Sequence, residues 1–179
     1  KRMHRGYTRE GYLELVGKLR AAMPDVTLST DVIVGFPGET EEDFEATLDL
    51  VSRVRFGQLY GFLFSPRPQT PAARYAGRVA RSVAGERLHR LFALQNIVQF
   101  ELNQSLIGRR IEVLVDGPAK RGSESWQGRG PDNRVVNFPA WQGMRRGEVE
   151  RVVVTGATAH ALLGARVAGE LGASQVPTA

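Results

Sequence analysis

The sequence predicts two parts, an α/β region followed by a small all-β barrel. Up to residue 64, helical and strand patterns alternate in the order helix, strand, helix, strand, which is typical of an α/β protein with a parallel sheet. After Gly108 the apolar residues follow the two-residue period of strands, and turn residues recur between short apolar runs. The change of period separates the two parts.

The first helix is expected to run from the capping residue Thr8 to about Ala22, because a threonine hydroxyl can accept from the free amides of a first turn. The next segment, 26–35, is rich in β-branched residues. Its continuous apolar stretch, 32–34, predicts a strand that is covered on both faces, as in a parallel sheet.

A turn at 35–39 leads into a second helix, where Thr40 and Asp43 have the spacing of a capping box. Another strand is predicted at 59–64, and residues 71–81 are interpreted as a connection. A long helix follows at 82–106, and Gly108 is expected to end it in the left-handed conformation.

In the second part, Ile111, Val113 and Val115 alternate with Glu112, Leu114 and Asp116, and further short apolar runs lie at 135–136 and 152–154. Turn residues separate these runs. This spacing predicts several short strands in a small barrel.

The 179 residues carry a formal net charge of +5. Residues 103–167 hold ten Lys and Arg against six Asp and Glu, so much of the excess of positive charge lies in the second part. This distribution is compatible with a polyanionic partner.

The sequence contains no cysteine, which excludes a disulfide and an iron–sulfur cluster held by this chain's thiolates. No apolar run approaches the roughly 20 residues of a membrane span, and we expect a cytoplasmic protein without a signal peptide.

Four segments resemble the C-terminal portion of the radical-SAM methylthiotransferases. They comprise Arg5 to Glu10, Ser29 to Thr40, Phe64 to Ala73 and Gly128 to Phe138. Ser-Thr-Asp at 29–31, Ser-Pro-Arg-Pro at 65–68 and Asn-Arg-Val-Val-Asn-Phe at 133–138 resemble the tRNA-modifying MiaB branch. Two other branches remain as alternatives, one acting on a ribosomal protein and one on threonylcarbamoyl-adenosine in tRNA. Gln69 stands where the family commonly has glycine.

The resemblance implies the last strands and helices of a TIM-like radical-SAM barrel at 1–81. A connecting helix at 82–107, an OB-like TRAM RNA-binding barrel at 108–168 and a tail at 169–179 would follow. The implied parent is monomeric and adds a methylthio group to N6-isopentenyladenosine in the tRNA anticodon stem-loop. It uses S-adenosylmethionine and two 4Fe–4S clusters, whose cysteines we expect upstream of Lys1, so this chain alone is expected to be inactive.

Six residues are candidates for cofactor binding. The resemblance places Ile33, Gly35 and Phe36 near the adenine of S-adenosylmethionine, and a glycine at a strand end also lets a ligand approach the backbone closely. Ser29 and Asp31 share one face of the strand. Arg5 can pair with a carboxylate or phosphate. The alternative for each is a structural role in a turn, a core or a solvent-facing helix start.

Arginines and a lysine after residue 66 are candidates for RNA phosphate contacts. They are Arg67, Arg109, Arg110, Lys120, Arg121, Arg129, Arg134, Arg145 and Arg146. Trp126, Phe138 and Trp141 are candidates to stack on unpaired bases, although we expect Phe138 to lie in the core. Two readings of other classes stay open, a non-catalytic RNA-binding module and a purely structural α/β domain.

Overall fold

The computed structural model of the chain describes residues 2–3, 5–119 and 125–167. They divide into two units, with the boundary between residues 99 and 100. The first unit contains α1 (Arg9–Ala22), β1 (Ser29–Val34), α2 (Glu41–Val54), β2 (Gln58–Leu63) and a short 3₁₀ helix (Pro71–Arg74). Helix α3 (Arg81–Gln104) begins in the first unit and ends in the second.

Both predicted helix caps are confirmed. The hydroxyl of Thr8 accepts a hydrogen bond from the backbone N–H of Gly11 at 3.1 Å. At the start of α2, Thr40 and Asp43 form a reciprocal capping box, with Asp43 N–H donating to the Thr40 hydroxyl and Thr40 N–H to the Asp43 carboxylate. These bonds satisfy amides that have no intrahelical acceptor and so fix where each helix begins.

Strands β1 and β2 pair in parallel over their whole length. One face of this pair packs on the helices, and the core there includes Val34, Phe44, Val51 and Leu91, which are fully buried. The other face is exposed in this chain. The prediction that the β1 strand is covered on both faces is therefore wrong here, because the continuous apolar run 32–34 has only one face covered by the helices.

Helix α3 lies close against this pair because β2 has a glycine where the helix crosses it. A Cβ on Gly61 would lie 2.7 Å from Leu88 Cδ1 and 2.9 Å from Phe92 Cζ. One turn further along, the buried side chain of Gln95 donates to the backbone carbonyl of Phe56 at 2.9 Å. The missing side chain on Gly61 thus permits the approach of the helix to the strand.

The second unit contains β3 (Arg110–Pro118), β4 (Ser125–Arg129), β5 (Val135–Pro139), β6 (Val149–Ala157) and β7 (Ala161–Arg166). These strands form a closed barrel in the order β3-β4-β5-β7-β6, with β6 pairing back to β3. All pairs are antiparallel except β5 with β7. The predicted small barrel is confirmed.

The barrel interior is filled by alternate residues of each strand. Val113 and Val115 of β3, Val136 and Phe138 of β5 and Leu162 of β7 are all buried. Before the barrel, Gly108 has φ +86, the expected left-handed conformation, whereas α3 already ends at Gln104 and residues 105–108 form a turn.

Several element boundaries differ from the sequence prediction by one to three residues, and one predicted connection contains a helix. Strand β1 begins at Ser29 rather than at residue 26. The segment predicted as a plain connection contains a 3₁₀ helix, because Pro71 at its first position fixes φ at a helical value where no amide donor is needed. Within the described ranges, no helix is both long and apolar enough to cross a membrane.

Candidate functional site

The turn after β1 is held by hydrogen bonds within the turn and by contact with α3. Gly35 is buried with φ +76, and its N–H donates to the Glu39 carboxylate at 2.7 Å. A Cβ on Gly35 would lie 2.7 Å from the Cβ of Ala84. The missing side chain therefore admits helix α3, because Ala84 packs where a Cβ would lie. Gly35 also lines the cavity at the strand end, and its predicted contact with the cofactor stays a prediction.

A buried ion pair fastens this turn to the same helix. The guanidinium of Arg87 donates to the Glu39 carboxylate at 2.8 Å and to the Glu39 carbonyl at 3.2 Å. It also donates to the Glu41 carboxylate, with the closer contact at 3.1 Å. The Arg87 side chain is 6% exposed and that of Glu39 is 11% exposed. Glu39 accepts from Gly35 and Arg87 together, so one carboxylate links strand end, turn and helix.

A cavity of about 510 Å³ lies at the carboxyl ends of the two strands. Gly35 and Pro37 line it from the β1 side, Ser65 from the β2 side, and Arg78 and Arg81 from the segment that enters α3. The volume falls within the range of about 300–1,000 Å³ typical of small-molecule sites. The carboxyl ends of parallel strands are also where α/β proteins bind ligands.

A second cavity of about 330 Å³ brings two predicted cofactor residues together. Arg5 and Phe36 both line it, together with Thr70 and Tyr75. The Phe36 ring makes edge contacts with Phe64 and Tyr75, with centroids 5.2 and 6.1 Å apart. The exposed Arg5 guanidinium has no ion pair within the described ranges, so it can accept an anionic partner.

The other three predicted cofactor residues lie on the exposed face of the sheet. Ser29, Asp31 and Ile33 alternate along that face of β1, and Asp31 and Ile33 are in register with Tyr60 and Phe62 of β2. At about 3.3 Å per residue, Ser29 is roughly 20 Å from the turn that follows the strand. This face carries polar, aliphatic and aromatic side chains, and it is separate from the two cavities at the strand end.

The loop after β2 is shaped by a turn. The carbonyl of Arg67 accepts from the Thr70 hydroxyl at 2.8 Å and from the Thr70 N–H at 3.2 Å, and the Arg67 side chain is exposed. Gln69 has φ +69, the left-handed conformation that favours glycine. Gln69 thus keeps the backbone conformation that a glycine would adopt most cheaply.

Four predicted RNA-contacting arginines of the barrel unit are exposed and without an ion pair in the described part of the chain. They are Arg109, Arg110, Arg145 and Arg146. Arg110 begins β3, whereas the Arg146 side chain lies beside Gly117 near the other end of that strand. The length of β3 therefore separates the two pairs by roughly 20 Å.

Two further predicted arginines are paired with carboxylates. Arg129 lies 3.5 Å from Asp116 and donates to the Asn133 carbonyl at 3.1 Å. Arg134 lies 3.0 Å from Asp132, and its side chain is only 12% exposed. Arg134 therefore belongs to the β4–β5 turn. Lys120 and Arg121 lie outside the described residues.

The aromatic candidates of the barrel contribute to its interior. Phe138 is 2% exposed, which confirms that it is a core residue. Trp126 and Trp141 are half-buried and pack against the same core. The guanidinium of Arg166 lies 5.8 Å from the Trp141 ring centroid, so one face of this tryptophan is already covered by a cation.

Comparison with known proteins shows the relationship of the chain. The model of the radical SAM superfamily matches residues 1–51. A tRNA-2-methylthio-N(6)-dimethylallyladenosine synthase of Moorella thermoacetica is 48% identical over 167 residues, which cover 93% of this chain and 37% of that protein. The synthases of Acidothermus cellulolyticus and Geobacter sulfurreducens are 44% and 48% identical, covering 94% and 91% of this chain and 34% and 36% of those proteins.

The chain belongs to this methylthiotransferase family. It spans about a third of the length of the curated relatives it matches. The radical SAM match lies wholly in the first unit, whereas the similarity to the synthases also includes most of the barrel unit. Both units are therefore similar in sequence to the synthases.

Sequence reasoning missed the charged residues that organise the strand-end site. Arg87 lies 48 positions after Glu39, and nothing in local spacing connects them. Arg78 and Arg81 fall in a stretch interpreted only as a connection, although they line the larger cavity. The sequence signal for such a site is limited to three arginines spaced over eight residues, at 74, 78 and 81, close to a predicted helix start.

Proposed function

We propose that this chain is part of a radical-SAM methylthiotransferase that places a methylthio group on N6-isopentenyladenosine beside the anticodon of tRNA. The observation that carries the proposal is the 48% identity to a synthase of that name over 93% of the chain. The relatives compared above carry the dimethylallyladenosine name, which favours this substrate over a ribosomal protein or threonylcarbamoyl-adenosine.

The two units divide this function in the proposal. Residues 1–81 supply the last strands of a TIM-like radical-SAM barrel, supported by the parallel β1–β2 pair and its helices. Residues 108–168 are a TRAM RNA-binding domain, supported by the closed five-stranded barrel and its unpaired arginines. The connecting helix is assigned to residues 82–107 and the tail to 169–179.

The residues at the strand end fit S-adenosylmethionine. Arg5 offers a guanidinium for its carboxylate, and Phe36 offers an aromatic surface beside the same cavity of about 330 Å³. Asp31 and Ser29 lie on the exposed face of β1, apart from this cavity, and we propose them as acceptors for an amine or hydroxyl of a ligand bound on that face. When bound, this cofactor supplies the radical and the methyl group, and the residues of this chain bind and orient it.

This chain does not fit the role of cluster ligand. It has no cysteine, and its described residues contain no group of three His, Asp or Glu that could hold a metal ion. We propose that two 4Fe–4S clusters of the complete protein are bound by cysteines outside these 179 residues.

The proposal is tested with the complete protein, reconstituted with iron and sulfide, and with tRNA that carries N6-isopentenyladenosine. We expect S-adenosylmethionine and a reductant to convert the base to its 2-methylthio derivative, detected by mass spectrometry of the digested nucleosides. Matched tRNA carrying threonylcarbamoyl-adenosine and the isolated ribosomal protein serve as competing substrates. Modification of either competitor in preference to the isopentenyl tRNA would replace the substrate assignment. No product from any substrate by a protein with intact clusters would refute the function.

A further inference from the structure

The larger strand-end cavity has a strongly one-sided charge. Among its described lining residues are two cations, Arg78 and Arg81, and no carboxylate. The nearest carboxylate described for this turn, that of Glu39, is occupied by Gly35 N–H and by Arg87. No side chain of this lining therefore neutralises the two guanidinium groups.

The start of α3 leaves backbone amides near Arg81 outside the regular helical bonding. The first hydrogen bond of α3 joins Ala84 N–H to the Ala80 carbonyl, so the amides of residues 81–83 precede the regular helical bonding. Arg81 stands in this first turn, and its side chain has no polar partner in the described ranges. Arg78 donates to the Ala73 carbonyl at 3.1 Å, which fixes one edge of its guanidinium and leaves its other N–H groups for a ligand. Ser65 contributes a hydroxyl from the β2 side.

The polar side chains of this lining are open to solvent. Arg78, Arg81 and Ser65 are all exposed, although they line the cavity. Because these side chains are reached from solvent, a phosphate of a large RNA can contact them without entering the cavity. Arg67 follows two residues after Ser65 in the same loop and is also exposed.

We propose that Arg78, Arg81 and Ser65 form a phosphate-binding site for the RNA backbone at the mouth of the strand-end cavity. The inference rests on the proposed function, because it takes tRNA as the polyanion that reaches this end of the sheet. The site holds the backbone beside the target nucleotide and contributes position and affinity rather than base selection.

The test measures binding of the complete protein to isopentenyl-containing tRNA across a series of salt concentrations. The variant is Arg78→Gln with Arg81→Gln, and the control is Arg53→Gln. Arg53 is an exposed arginine in the last turn of α2. From α2 the chain leads to the start of β2, at the end of the sheet opposite the cavity. We expect the double variant to bind about fourfold more weakly near physiological salt. The slope of log affinity against log salt should become shallower by about 0.7 for each phosphate that is no longer neutralised. The control should keep both values.

Lysine replacements at 78 and 81 keep the charge and guard against a folding defect, because they should retain the wild-type salt slope. Unchanged affinity and slope in the glutamine variant, with wild-type protein still modifying tRNA, would overturn the site alone. A loss of S-adenosylmethionine affinity with an unchanged tRNA slope would also overturn it, by assigning the cavity to the cofactor. Failure of the wild-type protein to bind or modify tRNA would instead remove the proposed function on which the site rests.

Discussion

The buried network around Arg87 and the exposed arginines of the barrel use arginine differently. In the first unit, Arg87 is buried and its donors are committed to Glu39 and Glu41, while Arg90 pairs with Glu41 and Glu45. In the barrel unit, four predicted RNA-contacting arginines stand exposed without an ion pair in the described ranges. The comparison leads us to expect an anion-binding surface only where the protein's own carboxylates leave arginines unpaired.

Replacing Arg87 tests the buried side of this comparison and should have the largest effect. Arg87→Met leaves the Glu39 carboxylate buried without its cation, so we expect unfolding to become easier by about 3 kcal/mol. Urea denaturation of the complete protein provides the measurement. The matched control is Arg90→Met, whose half-exposed ion pairs should contribute less than about 1 kcal/mol. Equal losses in the two variants would show that burial does not distinguish these arginines.

Adding a methyl group at the strand-end turn tests how tightly α3 is held there. Gly35→Ala places a Cβ at 2.7 Å from Ala84 and forces alanine to φ +76, so we expect a destabilisation of about 2 kcal/mol. The control is Gly85→Ala in the same helix, where a Cβ meets nothing within 4 Å. That control should stabilise the protein by up to about 1 kcal/mol through helix propensity. Thermal unfolding curves that moved in the same direction for both variants would contradict this account.

The barrel arginines sharpen the exposed side of the comparison. Arg145→Gln with Arg146→Gln should make the salt dependence of tRNA binding shallower by about 0.7 to 0.9 for each phosphate that these side chains neutralise. Arg129→Gln with Arg134→Gln removes the same charge from side chains already paired with Asp116 and Asp132, and should leave the slope nearly unchanged. If the second pair changed the slope more than the first, ion pairing would be a poor guide to RNA binding. Filter binding over a salt series measures both slopes.

The exposed end of the Arg87 network should give the smallest effect, and this effect should disappear in acid. A hydrogen bond from Arg90, helped by Arg87, lowers the pKa of Glu41 below its ordinary value. A lowered pKa stabilises the fold at pH above that ordinary value, and the contribution disappears as pH falls through the lowered pKa. We therefore expect the stability difference between wild type and Glu41→Gln to shrink on acidification below about pH 4.5. A difference that grew in acid would reverse the assigned sign.

Local rules predicted much of this fold. The caps at Thr8 and Thr40 and the left-handed Gly108 depend on bonds or dihedrals within a few residues, and each is confirmed. Phe138 was identified as core because aromatic rings in a small barrel have few other places to go. The caps and the left-handed glycine depend on residues within a few positions of one another, so the spacing of residue types in the sequence is enough to predict them.

Long-range pairing explains what was missed. The Glu39–Arg87 contact joins residues 48 positions apart, and Ala84 reaches Gly35 across a similar separation. The sequence also could not show that Asp132 holds Arg134, since an Asp two residues before an Arg in a turn is equally compatible with a solvent-facing pair. The individual assignments of cofactor and RNA contacts remain predictions, because they depend on molecules beyond the chain.

The placement of β7 has a consequence for how the barrel is made during synthesis. Strand β7 is inserted between β5 and β6, and its pairing with β5 is parallel. Until residues 161–166 have left the ribosome, β5 and β6 each present an open edge that can pair with another nascent chain. Ribosome stalling or truncation before Ala161 should therefore yield aggregation-prone intermediates. Closure of the barrel becomes a late, all-or-none step in the folding of this unit.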